Sequence, residues 1–223
     1  MSDEIRDLTI GILGGTGPLG RGLAIRWARA GLRVIVGSRD ADRAAKTANE
    51  IFEQSGVDHV SGLGNLDCTS VADVVVVAVP YDGHKALLET IGGAVDGKIV
   101  VDAVNPLGFD KRGPYRIDVP EGSAAEEAEQ ALPGARVTAA FHHVSAVLLN
   151  DPDQPEIPLD VLVLGDDREA TDVVRALADA IPGMRGVYGG RLRNAGQVEA
   201  LTANLIAINR RYKTHAGVRV TGL

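Results

Sequence analysis

From the eighth residue onward the chain alternates short apolar runs with amphipathic stretches. Residues 8–13 are β-like and follow a polar start. Leu19, Leu23, Ile25, Trp27 and Ala30 then give a helix-compatible segment, closed by a C-cap glycine, Gly31. Val34-Ile35-Val36 is a second strand, Ala44–Phe52 a helix, and His59-Val60-Ser61 a short strand leading through Gly62–Asn65 to a brief helix near Leu66–Val71. The run Asp73–Pro80 is almost continuously β-branched, as a strand buried on both faces would be. A helix opens at Tyr81–His84, Lys98–Asp102 is the next strand, and residues 105–122 read as a long loop. Helix Ala124–Leu132 and strand Ala135–Ala140 follow; Asn150–Pro158, with three prolines and three acids, is the best linker. Beyond it lie strand Asp160–Leu164, helix Glu169–Ile181, a short strand near Arg185–Tyr188 and a long helix. In that helix Leu192, Ala195, Val198, Leu201, Leu205, Ile208 and Tyr212 recur at three- and four-residue steps. Their apolar face suits either packing on its own domain or a dimer seam.

This rhythm predicts an α/β fold: a doubly wound, Rossmann-type parallel sheet in residues 1–150, with a small α/β extension in 151–223 ending in the long helix. Ligands in such folds lie outside the carboxyl ends of the strands. The tips of interest are therefore Gly14–Leu19, Gly37–Arg39, Val79–Tyr81, Val104–Pro106 and Phe141–Ala146.

The first tip carries G-x-G-x-x-G as Gly15, Gly17 and Gly20. The first glycine permits a tight turn, the second lets backbone approach a pyrophosphate, and the third lets helix pack on strand. Pro18 suits a first helical position, and the unpaired N–H groups there point to where a phosphate would sit. At the second tip an NAD-preferring site usually has an acid. Here stand Ser38 and Arg39, with Arg43 one helical turn on, which suits the 2′-phosphate of NADP. A helix cap from Ser38 or Asp40 is compatible with that reading.

A net charge of −7 argues against nucleic acid or an anionic membrane surface. One cysteine, Cys68, excludes an intrachain disulfide and a cysteine-based zinc site. Met1–Glu4 lacks the basic start of a signal peptide, and the longest apolar run is too short for a bilayer, so a soluble, cytoplasmic protein is expected. His142 and His143 are neighbours on an extended segment and would point to opposite sides, so no metal site is expected there. Asp166 and Asp167 read as caps of the next helix. The tips thus offer a cofactor cradle and few acid–base groups, with His142 the one nearby candidate. That suits hydride exchange between two bound redox cofactors, in which the protein mainly aligns carbons.

Gly14–Gly20, Val36–Asp40, Val79-Pro80-Tyr81, Phe141–Ala146, Gly165-Asp166-Asp167 and the tail from Glu199 to Gly217 resemble the NADPH-dependent reductases of coenzyme F420, the 8-hydroxy-5-deazaflavin:NADP oxidoreductases. The resemblance runs through nearly the whole chain. It implies reversible hydride transfer between C4 of NADP(H) and C5 of the deazaflavin, with no metal and no catalytic side chain. By position, Gly15, Thr16, Gly17, Pro18 and Leu19 would hold the pyrophosphate, and Ser38, Arg39 and Arg43 the 2′-phosphate. Val79, Tyr81 and Asn105 would stand beside ribose and nicotinamide. Val144, Ser145 and Ala146 would line the deazaflavin, and Ala216 would close the cleft between the two domains. Some relatives have Lys at Arg43, Trp at Tyr81 and Pro at Ser145. The family forms homodimers or higher oligomers. Rival readings are an NADPH-dependent reductase of a small carbonyl or imine, and a non-catalytic NADPH-binding redox sensor.

Overall fold

The run Val74–Val77 has no polar position because both its faces are covered. Val74 and Val76 pack with Leu23, Trp27 and Val174, whereas Val75 and Val77 pack with Cys68, Leu88 and Ala125. Successive strand residues point to opposite sides, so a strand between two helical layers must be apolar throughout. The computed structural model describes residues 5–223; the Met1–Glu4 start, read above as lacking a signal peptide, lies outside them.

The elements in order are β1 (Thr9–Leu13), α1 (Pro18–Arg29), β2 (Arg33–Ser38), α2 (Ala41–Ser55), β3 (Val60–Gly64), α3 (Asn65–Val71), β4 (Val74–Val77), α4 (His84–Ile91) and β5 (Ile99–Asp102). They continue with β6 (Leu107–Asp110), β7 (Gly113–Arg116), α5 (Ala124–Ala131), β8 (Arg136–Ala139), α6 (Ala146–Asn150), β9 (Leu159–Gly165), α7 (Arg168–Asp179), β10 (Met184–Gly190) and α8 (Ala195–Tyr212). Eight strands form one sheet in the order β3-β2-β1-β4-β5-β8-β9-β10. The first six in that order are parallel. The chain winds outward from β1 to β3, then crosses to β4 and winds the other way. The crevice for a ligand therefore opens at the tips of β1 and β4.

Residues on both sides of position 150 share this sheet, since β9 pairs antiparallel with β8 through Thr138↔Gly165 and Ala139↔Leu164. Those partners lie at the end of β9, so its earlier residues project past the carboxyl edge. With β10 running parallel to it, β9 makes a wall beside the crevice. The segment 105–122 is not all loop. Leu107–Asp110 and Gly113–Arg116 pair as a two-stranded hairpin, Phe109 facing Pro114. Pro114 within a four-residue strand hides this element from pattern reading. Among the described residues no helix is long and apolar enough to cross a membrane.

The C-terminal tail is fastened to the projecting end of β9. Buried Asp160 accepts from Nε and Nη2 of Arg185 at 3.0 and 2.7 Å and from the Val220 N–H at 2.7 Å, while its own N–H donates to the Val218 carbonyl. The Arg185 hydrogen bonds hold the Asp160 carboxyl below its ordinary 3.8. A depressed carboxylate stabilises above its unfolded pKa and loses that contribution as pH falls through the folded value. Asp160→Asn is therefore expected to lower stability by about 2 kcal/mol at neutral pH. The gap to the parent should narrow below pH 3.8. Denaturant titrations across pH check this; a gap that does not change with pH would show that the charge plays no part.

Candidate functional site

The β1–α1 elbow is built from close backbone contacts. Gly14 has φ +80°, and a Cβ there would lie 2.5 Å from the Ala78 carbonyl oxygen and 2.9 Å from Val79. A Cβ on Gly20 would lie 2.7 Å from the Gly14 carbonyl oxygen. The left-handed residue is thus Gly14, one position before Gly15, the first glycine of the motif. Gly15 instead donates its N–H to the carbonyls of Ile12 and Gly37, both at 3.0 Å, tying the elbow to β2. Gly17 caps α1 without a side chain, and Pro18 takes the first helical position. The N–H groups of Leu19 and Gly20 therefore have no helical partner and face the crevice beside Thr16. Val79 stands against the elbow from β4, and Tyr81 follows in a 3₁₀ turn, half-buried.

At the β2 tip the Ser38 hydroxyl is buried and accepts from the Asp40 N–H at 3.2 Å. The Asp40 carboxylate accepts from the N–H groups of Asp42 and Arg43, so it is the cap of α2. Arg39 and Arg43 are exposed, and neither guanidinium has an ion-pair or hydrogen-bond partner among the described residues. Two such cations, beside a cap whose carboxylate is already engaged, have the charge to pair with a doubly charged anion.

On the other side of β4 the tips are joined by hydrogen bonds. The Asn105 amide and the Thr202 hydroxyl both donate to the His142 carbonyl, at 3.0 and 2.9 Å. Phe141 takes φ +66°, a conformation a bulky residue rarely adopts. It is fully buried, with its ring edge-on to Trp27 at 5.5 Å, so tertiary packing holds the turn that presents Val144, Ser145 and Ala146. Ser145 caps α6 with no side-chain bond, and Ala146 is half-buried. Arg26, buried on α1, donates to the carbonyls of Leu148, Leu149, Asp151 and Gln154 and so clamps α6 to the elbow helix. A charged residue on a buried helix face gives no warning of such a role in the sequence. Ala216 sits in the tail, its N–H donating to Asn209 Oδ1.

A second feature escapes sequence reading because its members are far apart in the chain. The imidazole of His84 bridges Asp102 and Glu127, at 2.7 Å each. Burial works to lower its pKa, but the hydrogen bonds and charges of Asp102 and Glu127 prevail and raise it to about 9. Asp102 also accepts from the Val104 N–H. The Glu199 carboxylate, reaching in from α8, accepts from the N–H groups of Ala124 and Ala125 at the start of α5, both at 3.1 Å. Burial, then the charge of Asp102, push it up to about 7. His142 faces this group, and burial lowers it to about 4. His143 points elsewhere, its Nε2 accepting from the Leu162 N–H, so the two neighbours diverge as expected. Of the two acids after Gly165, Asp167 caps α7 and pairs with Arg136, whereas Asp166 binds Arg191 instead.

The family described as "NADP oxidoreductase coenzyme F420-dependent" matches residues 9–106. An F420-dependent NADP reductase of Methanothermobacter thermautotrophicus is 41% identical, over 99% of this chain and 97% of its own length. That of Methanocaldococcus jannaschii is 39% identical, over 97% and 99%. A solved structure from Arthrobacter sp. fb24, described as that of a candidate F420-dependent NADP-reductase, superposes with a TM-score of 0.81 at 26% identity, covering 96% of this chain and 99% of that one.

Proposed function

The chain belongs to the family of F420-dependent NADP reductases, and from that premise we infer an oxidoreductase that passes hydride reversibly between NADP(H) and coenzyme F420. The observation that carries this reading in the geometry is the glycine-tight elbow at the β1 tip, flanked at the β2 tip by the free guanidiniums of Arg39 and Arg43. Glycines with no room for a Cβ draw the elbow tight against β4, and the unpaired N–H groups at the start of α1 beside it fit a pyrophosphate. The two cations fit the 2′-phosphate that distinguishes NADP from NAD.

The residue roles follow from position. Gly15, Thr16, Gly17, Pro18 and Leu19 form the turn around the pyrophosphate, to which the unpaired N–H groups of Leu19 and Gly20 at the start of α1 donate, and Ser38, Arg39 and Arg43 hold the 2′-phosphate. Val79, Tyr81 and Asn105 border the ribose and nicotinamide. Val144, Ser145 and Ala146 shape the wall on the far side of β8, and Ala216 comes with the tail over the β9–β10 wall. When bound, the two coenzymes supply the redox chemistry, a nicotinamide carbon and a deazaflavin carbon exchanging hydride. The protein's part is to hold these faces in register and exclude water; no side chain is assigned an acid–base step. Residues 1–150 then serve as the NADP-binding part and 151–223 as the part that closes the deazaflavin cleft. Exposed Ile208 and Tyr212 on α8 support a homodimer or higher oligomer. We also propose that the enzyme works in the cytoplasm.

The test is a mixture of purified protein, NADPH and the oxidised deazaflavin coenzyme, followed by absorbance. The expected result is loss of NADPH in step with reduction of the deazaflavin, reversed by excess NADP. Turnover of carbonyls or imines without deazaflavin turnover would favour the rival reductase. Tight NADPH binding with no acceptor reduced would mark a sensor.

A further inference from the structure

We propose that Asp102, His142 and Glu199 form a binding site for a divalent transition-metal ion, buried behind the cofactor crevice. Asp102 ends β5, His142 follows β8, and Glu199 lies on α8. Each offers one ligand atom, and these atoms all lie within 4.8 Å of one another. The residues are 0%, 2% and 3% exposed.

The observation that points to a ligand is His142 itself. Neither of its ring nitrogens has a hydrogen-bond partner, although the residue is enclosed. A buried polar group without a partner is rare and costly, and a neutral imidazole nitrogen is a common metal ligand. Its backbone is held in place by bonds from Asn105 and Thr202 to its carbonyl, so the ring is presented to the two carboxylates rather than left to wander. The Asn105 side-chain oxygen is buried and unpartnered as well.

Charge points the same way. Buried Asp102 and Glu199 and half-buried Glu127 bring three carboxylates together, and among the described residues the one imidazole bonded to any of them is His84. Even with His84 charged, negative charge is in excess, which a dication would offset. The carboxylates are already oriented as metal ligands are, by an outer layer of donors. His84 and the Val104 N–H hold Asp102, and the Ala124 and Ala125 N–H groups hold Glu199. One nitrogen and two oxygens suit zinc, cobalt or manganese better than magnesium, which favours oxygen and water. Metal–ligand bonds of about 2.1 Å put tetrahedral ligand atoms about 3.4 Å apart, so the three side chains, whose ligand atoms lie within 4.8 Å of one another, would close on the ion as it binds. A small cavity of about 10 Å³, lined by Pro106, Gly122, Gly196 and exposed Arg116, adjoins Glu199.

Bound there, the ion would join the end of β5, the turn after β8 and helix α8, which lie on both sides of residue 150. Its role would be to fix the turn that carries His142 and the segment leading to Val144–Ala146. It takes no part in hydride transfer.

The experiment uses the full chain purified without a histidine tag and stripped with a chelator. It is then dialysed against zinc or cobalt(II), with metal content, the cobalt visible spectrum and the melting temperature as readouts. The expected result is a single tightly held equivalent per chain, ligand-field bands of a low-symmetry cobalt centre, and a melting temperature raised by the ion. Glu199→Gln and His142→Gln should each weaken binding by about tenfold or more, whereas His59→Gln, at an exposed histidine, should not. Should either site variant fail to fold, the wild-type cobalt spectrum and stoichiometry still decide. No bound equivalent, or uptake equal in the site variants and the parent, would overturn the proposal. So would a high-resolution map of the ion-soaked protein with only a water between the three side chains.

Discussion

Arg39→Ala is expected to raise KM for NADPH by roughly ten- to a hundredfold while leaving that for NADH nearly unchanged. The range follows from the worth of a hydrogen bond to a charged group, about 1.5–3 kcal/mol. The lower half applies if Arg43 takes over part of the phosphate, since both guanidiniums are exposed and start from the same end of α2. Arg39→Ala combined with Arg43→Ala should therefore remove most of the preference for NADPH. Arg39→Lys separates charge from shape. An ammonium keeps the Coulomb attraction but loses the two-pronged contact, so an intermediate KM is expected. Raised salt should weaken NADPH binding in the parent more than in the double variant, because exposed charges are screened. Equal losses for the two nucleotides would remove the assignment of the 2′-phosphate to this tip. Among the described residues no carboxylate pairs with either arginine, and that of Asp40 accepts two backbone N–H groups of its own helix.

What could be read in advance was whatever depends on local chemistry. The apolar strands, Gly31 as the left-handed residue after α1, the Pro18 start and the free cations after β2 are set within a few residues of chain, and the structure places them as the pattern implies. Periodicity reports what a residue faces, not which distant residue it meets. Arg26 looked like one more polar position in a helix, yet its partners lie more than a hundred residues away. Glu199 is an acid on a helix whose other inward residues are apolar, and only the fold brings it to Asp102 and His142. The hairpin at 107–116 was obscured by Pro114, which pattern rules count against a strand. The elbow shows a finer limit: the motif places three glycines correctly, but the residue with positive φ is the one before them. The spacing identifies the loop, whereas the contact with Ala78 on β4, a non-local one, decides which glycine takes the unusual conformation.

The largest loss of stability is expected from Arg26→Ala. Arg26 is 4% exposed, and its guanidinium makes four bonds of 2.7–3.0 Å, two to the last turn of α6 and two to the segment after it. The carbonyls at a helix C-terminus have no partners within the helix, so the arginine both satisfies them and places positive charge at the negative end of the dipole. Truncation leaves those buried and half-buried carbonyls without their donor. The expected cost is about 3–5 kcal/mol. For a chain of this size that corresponds to a fall in melting temperature on the order of 10 °C. Arg26→Met separates packing from bonding: it restores most of the volume and none of the donors, so it should be nearly as unstable as the alanine variant. Arg26→Lys keeps the charge but reaches fewer carbonyls and should fall between. Because α6 begins with Ala146, directly after Val144 and Ser145, loosening its far end should be felt at the segment proposed to line the deazaflavin. Well below its melting temperature, Arg26→Met is expected to raise KM for the deazaflavin and leave that for NADPH close to normal. A methionine variant that melts with the parent would mean that the four carbonyls find water instead. The clamp between α1 and α6 would then have no energetic weight.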